Sequence, residues 1–532
     1  MVQSYKKKHI LEDSYDVIMI GSGIGCLSAA AILSKEGKKV LVLERHYTPG
    51  GFTHVFKRRG YEWDVGIHYI GEVQRRNSVI RLLFDYITDS ELEWADMGDI
   101  YDRIIIGDKK YDFVKGVKNL KNKLLKYFPH EKSSIDKYID LVFSSNKSTG
   151  KFYLSKLLPN ILNIIIGRFM KKDYLKYSSQ TTYEALSSIT KNEELIKLLT
   201  AQYGDYGLPP KQSSFAMHAS VVKHYFDGGS FPVGGSSRIL ETIDPIIEKS
   251  SGTILVSAEV REVIIKNNKA IGVLMSDGKE LFANTIISGT GIFNTYEKLI
   301  PSRIVKKYNL IPRLNRVKPS VSHGCLYIGL KGSPEDLSLP KHNLWIYPEK
   351  GSHDECVEVY LKDISAPFPL VYVSFPSSKD PSWSERYPNK STIDVITLLP
   401  YEVFSGWENT KWMKRGGSYE KLKENISKRL LECLFKEFPN LRGKIDHYEL
   451  SSPLSTQNFV NYKKGELYGI DHNPQRFDQG FLKPKTEIKN FFLTGQDIVT
   501  AGVGGALFSG LLTASAVTGK NLINRIKRNS KS

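Results

Sequence analysis

Small residues at Gly21-x-Gly23-x-x-Cys26, followed by a carboxylate at Glu44, are the spacing in this 532-residue chain that most plainly announces chemistry. Gly21 permits a tight turn, and Gly23 lets the backbone come up against a pyrophosphate. A helix beginning there would offer unpaired N–H groups and the positive end of its dipole to the same anion. Glu44 follows Gly21 by 23 residues, where a carboxylate accepts hydrogen bonds from an adenosine ribose and repels a 2′-phosphate. Ser22 and Gly25 complete the turn. Cys26 stands where a third glycine is usual, and is expected to loosen the helix slightly against its strand.

The elements that must position these residues are legible around them. Residues 15–20 (YDVIMI) read as a buried strand, LSAAAILSKEG as a helix, and KKVLVLE as a second strand ending at Glu44. An isolated glycine motif is common in ordinary α/β units, but strand, turn, helix, strand and terminal Glu together specify a dinucleotide site. Near the other end, residues 490–516 read as a strand, a Gly495-Gln496-Asp497 turn, glycines 502, 504 and 505, and a small-residue helix aimed at a ligand. Alone, that segment would be a plain helix start. Residues 253–263, 270–276 and 285–288 read as a hairpin and a return strand.

Composition bounds the rest. Seventy-five basic residues against 57 acidic ones leave a net charge of +18, with 41% hydrophobic and 11% aromatic residues. This excludes a disordered chain and a disulfide scaffold. Cys26, Cys325, Cys356 and Cys433 form no C-x-x-C pair, so no metal site is expected. The basic N-terminus leads into the strand at Tyr15 without an apolar leader, and no run of 18 apolar residues occurs, so a cytoplasmic protein without a spanning helix is expected. The positive excess implies an anionic partner, nucleic acid or membrane. Residues 147–177 hold seven Lys or Arg around an apolar run. A helix over 157–171 would place Lys156, Asn160, Asn163, Gly167 and Lys171 on one polar stripe. Leu157, Ile161, Leu162, Ile164, Ile165, Phe169 and Met170 would face outward as an interfacial surface, with Pro159 starting or kinking the helix. This favours an anionic membrane surface, with peripheral attachment, over nucleic acid, for which no binding motif is present. The five cations of residues 520–532 are expected in a solvated, frayed tail.

After Glu44 the chain reads Arg45-His46-Tyr47-Thr48-Pro49-Gly50-Gly51, then RGYEWDVGIHY from Arg59. This resembles the second loop over the FAD phosphates, and the strand leading to the flavin, in the amine oxidase and phytoene desaturase superfamily. The resemblance implies that Asp497 holds the ribityl chain. It also implies that the amides of Val503, Gly504 and Gly505 face the flavin pyrimidine and that the Val260 backbone contacts adenine. With GIHYIG, HASVVKHYFDGGSFPVGGSS, GIFNTYEKLIP and FLTGQD, the chain looks like the all-trans-retinol 13,14-reductase (retinol saturase) family, over nearly its whole length. Where relatives commonly show Asn-Ala, it has Thr290-Gly291.

That resemblance implies an α/β fold in which a Rossmann-like FAD-binding domain (1–75, 230–292 and 455–528) is interleaved with an α+β substrate domain (76–229 and 293–454). It implies hydride exchange between flavin N5 and one carbon of a hydrophobic, conjugated polyene isoprenoid, with a proton exchanged at the adjacent carbon. Within the same class stand carotenoid isomerisation and desaturation. Outside it stands a non-catalytic carrier resembling Rab GDP-dissociation inhibitors, against which the complete glycine motifs and the pairing of Glu44 with Asp497 argue. No second dinucleotide fingerprint occurs, so an external electron donor or acceptor is required. His68, Tyr69, His218 and His224 are the candidate proton donors, weighed against buried structural histidines. Tyr203, Tyr206 and Tyr225 are expected to wall an aromatic tunnel, and residues 365–386, rich in Pro and Ser, to form a loop.

Overall fold

Strand Tyr15–Ile20 is buried almost throughout because it lies inside a parallel sheet covered on both faces. The computed structural model describes residues 2–7, 15–158 and 160–529, and its strands fall mainly into two large sheets. The first has eight strands in the order Gln3–Ser4, Thr253–Val256, Val40–Leu43, Tyr15–Ile20, Glu280–Ser288, Lys269–Met275, Val260–Lys266, with Phe491–Leu493 added parallel to Glu280–Ser288. Its strands come from the two ends and the middle of the chain. Helix Ile24–Lys35 lies on this sheet, and its Ala29, Ala30 and Ala31 are fully buried. The small residues of helix Gly502–Thr518 allow it to cross Ile24–Lys35 closely: a Cβ on Gly510 would lie 2.6 Å from the Gly25 carbonyl oxygen.

The second sheet has seven strands, in the order Ile445–Leu450, His323–Lys331, Lys390–Leu398, Val371–Ser374, Asn343–Tyr347, Ile100–Ile106, Lys109–Val114. All its pairings are antiparallel except that of Asn343–Tyr347 with Ile100–Ile106. Trp63, on the short hairpin strand Tyr61–Asp64, donates its indole N–H to the Ile328 carbonyl at 3.1 Å and so ties this hairpin to the second sheet.

Three expectations are corrected. Residues 365–386 are not a loop: Val371–Ser374 is an interior strand of the seven-stranded sheet, followed by short helices Pro376–Lys379 and Trp383–Arg386. The prolines that suggested a loop mark element edges, with Pro376 opening a helix where its missing N–H costs nothing. The tail does not fray before Asn529: helix Leu522–Asn529 buries Leu522 and Ile526, one turn apart, and Lys520 and Arg525 both pair with Glu36. Residues 530–532 lie outside the described residues.

The third correction concerns orientation. Helix Asn160–Ser178 is present, but the stripe through Lys156, Gly167 and Lys171 faces the protein. Lys156 is drawn in, its ammonium donating to the Ile498 carbonyl at 2.7 Å, and burial pulls its pKa well below the usual lysine value. Gly167 is buried and Lys171 half-buried, while Ile165, Ile166 and Phe169 are 63%, 46% and 79% exposed. Leu157 and Met170 are half-buried. Pro159 and the side chains of Asn160, Ile161, Leu162, Asn163 and Ile164 lie outside the described residues. No described helix is long and apolar enough to cross a membrane.

Candidate functional site: a dinucleotide cavity beside a buried polar network

One cavity collects residues from all three segments of the first sheet. Its walls include Gly21, Ser22, Gly23, Gly25 and Cys26 of the glycine turn, Glu44 and Arg45, Gly51, Val260, and Gly495 and Val503. Gly50, Asp497, Gly504 and Gly505 are not part of this wall.

The turn is held by Glu44. The amide and hydroxyl of Ser22 both donate to Glu44 Oε2, at 3.0 and 2.6 Å, and the His46 amide donates to Oε1 at 2.7 Å. The Gly50 amide donates to the Ser22 hydroxyl at 2.9 Å, which brings the second glycine loop over the first. Two glycines meet there, since a Cβ on Gly51 would lie 3.0 Å from the Gly23 Cα. A Cβ on Gly23 would meet nothing within 4 Å, so its open side is a cradle that a side chain would fill. Cys26 does not loosen the helix: its Sγ lies against Gly289, where a Cβ would come within 2.4 Å. The close approach that a third glycine normally supplies comes from the neighbouring strand end.

Arg45 is committed to protein, donating to the carbonyls of Asn458 and Phe459 at 2.7 and 3.2 Å, which fastens that segment across the cavity. Asp497 is buried, with Oδ2 accepting from the Ile292 amide at 2.7 Å and Oδ1 from the Ile470 amide at 3.0 Å. Buried Arg476 donates to the carbonyls of Ile470 and Gln496, at 2.5 and 2.6 Å, and so fixes the same turn. The cavity also takes two cations, Arg261 and Lys298, and Tyr462 and Tyr468. Sequence reasoning missed these. Arg261 sits on a strand read only for its β pattern, and Lys298 lies in GIFNTYEKLIP, a segment read for its resemblance without a role for its lysine.

The four proton-donor candidates do not converge on this cavity. His218 is fully buried between two tyrosine hydroxyls, Nε2 at 2.9 Å from Tyr138 and Nδ1 at 3.1 Å from Tyr206, and burial lowers its pKa to about 3. His224 accepts the Gly71 amide at Nε2, 2.8 Å away, and burial also lowers it to about 3. It lies beside the start of helix Gly502–Thr518, where a Cβ on Gly504 would be 3.9 Å from its ring. His68 points Nδ1 at Asp394 Oδ2, 3.3 Å away.

Tyr69 enters a network built on the second sheet. Its hydroxyl lies 3.0 Å from Asp102 Oδ2 and 3.2 Å from Asp205 Oδ2. Asp102 also accepts from the side-chain amides of Gln202 and Asn343, at 2.8 and 2.9 Å. Asn343 in turn accepts from buried Lys379, which also donates to the His68 carbonyl at 2.8 Å and the Ser374 hydroxyl at 2.7 Å. Burial lowers Lys379 to about 7, and raises Asp102 and Asp205 above the usual carboxylate range. Tyr225 stacks on Tyr69, with ring centres 4.2 Å apart. Tyr203 and Tyr206 are fully buried; they pack against His353 and His218 and are core rather than tunnel wall.

A two-ended glycine cavity within this topology defines a flavin oxidoreductase. The chain belongs to the flavin-containing amine oxidoreductase family, whose pattern matches residues 25–518. It is an FAD-dependent oxidoreductase, and the open cradle at Gly23 with Glu44 beside it fits that cofactor.

Within the family it groups with the all-trans-retinol 13,14-reductases. It is 35% identical to that of Danio rerio over 98% of this chain and 88% of the relative. Identity with the Homo sapiens protein is 36%, over 97% and 87% of the two chains. More distantly, it is 24% identical to prolycopene isomerase 1 of an Oncidium hybrid, over 95% and 84%. Among solved structures, cyclohexylamine oxidase from Brevibacterium oxydans superposes with a TM-score of 0.60 at 15% identity, covering 97% of this chain and all of that one. A Plasmodium falciparum Rab GDI superposes at 0.51 and 13% identity, covering 96% and 99%. These structural likenesses concern the fold.

Proposed function

We propose that this protein reduces one double bond of a conjugated polyene isoprenoid, of the all-trans-retinol or apocarotenoid class. The observation that carries this reading is the near full-length similarity to all-trans-retinol 13,14-reductases. Bound FAD would supply hydride to one carbon of the polyene. The polyene spreads the resulting charge over several carbons, so the protein's task is to hold the chain in register and deliver a proton.

In this reading Gly21, Ser22, Gly23 and Gly25 cradle the pyrophosphate, Arg261 and Lys298 balance its charge, and Glu44 accepts the adenosine ribose. Gly51 closes the second loop, and Val260 borders the adenine. Cys26, Arg45, Gly50 and Asp497 act through backbone, by fixing the segments that meet the cofactor. Gly495, Val503, Gly504 and Gly505 set the helix start whose dipole favours the negatively charged reduced flavin. Of the candidate proton donors, His218 holds the core, while His68 and Tyr69 follow the hairpin strand Tyr61–Asp64 and His224 lies beside the start of helix Gly502–Thr518. An external donor must restore the reduced flavin.

The substrate would come from a membrane. Ile165, Ile166 and Phe169 face outward beside exposed Arg168, Lys172 and Lys176, an arrangement that suits an anionic leaflet.

The prolycopene isomerase relatives keep isomerisation as the second reading. The test is to incubate photoreduced enzyme anaerobically with all-trans-retinol and with a carotenoid mixture, then measure product mass. A gain of two hydrogens is expected. Unchanged mass with altered retention would replace reduction by isomerisation, and a loss of two hydrogens would replace it by desaturation.

A further inference from the structure

A hydroxyl carries one hydrogen, and Tyr69 Oη lies within hydrogen-bond distance of two carboxyl oxygens, Asp102 Oδ2 and Asp205 Oδ2. It can donate to only one of them, so the other carboxyl must donate to it and therefore carries a proton. The surroundings decide which. Asp102 is fully buried and accepts two further hydrogen bonds, from Gln202 and Asn343, the latter held in turn by Lys379. With Tyr69 that makes three donors, which favour a charged carboxylate there. Asp205 has no comparable donors, and the groups around it, Asp102, Tyr225, Tyr372 and Tyr468, bring it no positive charge.

The segment before Asp205 is tied to a residue of the cofactor cavity's wall. Tyr468, in the cavity wall, donates its hydroxyl to the carbonyl of Gly204, the residue before Asp205, at 2.8 Å. Asp205 is only half-buried, whereas Asp102 is sealed.

Resting on the polyene reductase reading, we propose that the Asp205 carboxyl is the acid that protonates the polyene, and that Tyr69 and Asp102 are positioning residues that keep its proton in place. Bound reduced FAD would supply hydride to one alkene carbon; the π electron pair of that double bond would then form a C–H bond at the adjacent carbon with the Asp205 proton. The Asp205 O–H bond breaks and its electrons stay on the carboxylate. The Tyr69 hydroxyl then turns to donate to the new carboxylate. Water restores the proton to Asp205, and an external reductant, a reduced nicotinamide or an electron-transfer protein, restores the flavin.

The experiment has a spectroscopic and a kinetic arm, both on the FAD-loaded enzyme. The infrared spectrum of resting wild type at pH 7.5 should contain the carbonyl stretch of a buried, protonated carboxylic acid, absent from Asp205→Asn and retained in Asp102→Asn. After photoreduction, reoxidation of Asp205→Asn by all-trans-retinol should be slower by about 10²-fold or more, with reoxidation by ferricyanide unchanged, because that acceptor needs no proton on carbon. If Asp205→Asn does not fold, Tyr69→Phe removes only the shared oxygen; it should alter the infrared band and slow the retinol step about tenfold while sparing ferricyanide. Asp205→Asn or Tyr69→Phe that matches wild type with retinol, or Asp205→Asn that leaves the band untouched, overturns the assignment of the acid. Wild type that no polyene can reoxidise overturns the polyene reading itself, and the acid with it.

Discussion

Ser22 and Glu44 are joined twice, the amide and the hydroxyl of the serine both donating to one carboxylate oxygen, at 3.0 and 2.6 Å. Because the Gly50 amide in turn donates to the same hydroxyl, Glu44 organises both glycine loops. Replacing Glu44 with Gln puts an amide donor where an acceptor is needed. Charge-assisted hydrogen bonds contribute roughly 1.5–3 kcal/mol each, so FAD should bind Glu44→Gln about 10- to 100-fold more weakly. Titration of apoprotein by flavin fluorescence measures this; wild-type affinity would remove the carboxylate from the site.

Two neighbouring glycines should respond differently to the same methyl group. In Gly25→Ala the Cβ would lie 2.9 Å from the Gly495 Cα, backbone that cannot easily yield, and a loss of about 1–3 kcal/mol of stability is expected. In Gly23→Ala the Cβ meets no protein atom within 4 Å, so urea unfolding of the apoprotein should match wild type within about 1 kcal/mol while FAD affinity falls. Equal loss of stability in both would contradict the open cradle.

His218 should make the fold acid-sensitive. Its folded pKa is about 3 because burial disfavours the cation, whereas the unfolded chain takes up that proton near pH 6.5. Between these values the unfolded state binds more protons, so stability falls as pH falls, by about 1.4 kcal/mol per unit from this one group. His218→Gln keeps polar contacts with Tyr138 and Tyr206 but cannot titrate. Its urea midpoint should be lower than wild type at pH 7 and should decline less steeply toward pH 4.5; parallel declines would refute the argument.

Phe169, 79% exposed on helix Asn160–Ser178, tests the membrane surface. Burying such a side chain contributes roughly 1.5–3 kcal/mol, so Phe169→Asp should reduce sedimentation with vesicles containing phosphatidylserine by about tenfold or more. Raising salt should weaken wild-type binding, because Arg168, Lys172 and Lys176 act through screened charge. Equal binding by variant and wild type would leave this face without a membrane role.

Local spacing was enough for the glycine turn, the strand leading to Glu44 and the small-residue helix after Ala501. Each depends on chain neighbours: a tight turn, a period of apolar residues, a carboxylate at a strand end. The same logic failed where an element's role is set by what it packs against. Pro376 marks a helix start beside a core strand rather than a loop, and Lys156 belongs to the stripe that faces inward, held by the Ile498 carbonyl. Nor could spacing place Asp102, Asp205, Asn343 and Lys379 around Tyr69, for they come from four separate stretches of chain and carry no motif. The residues alone determined that this protein binds a dinucleotide and has the pattern of a flavoprotein. Only the tertiary structure decided that one tyrosine hydroxyl lies between two carboxyls, because that sharing depends on distances across strands and turns far apart in sequence.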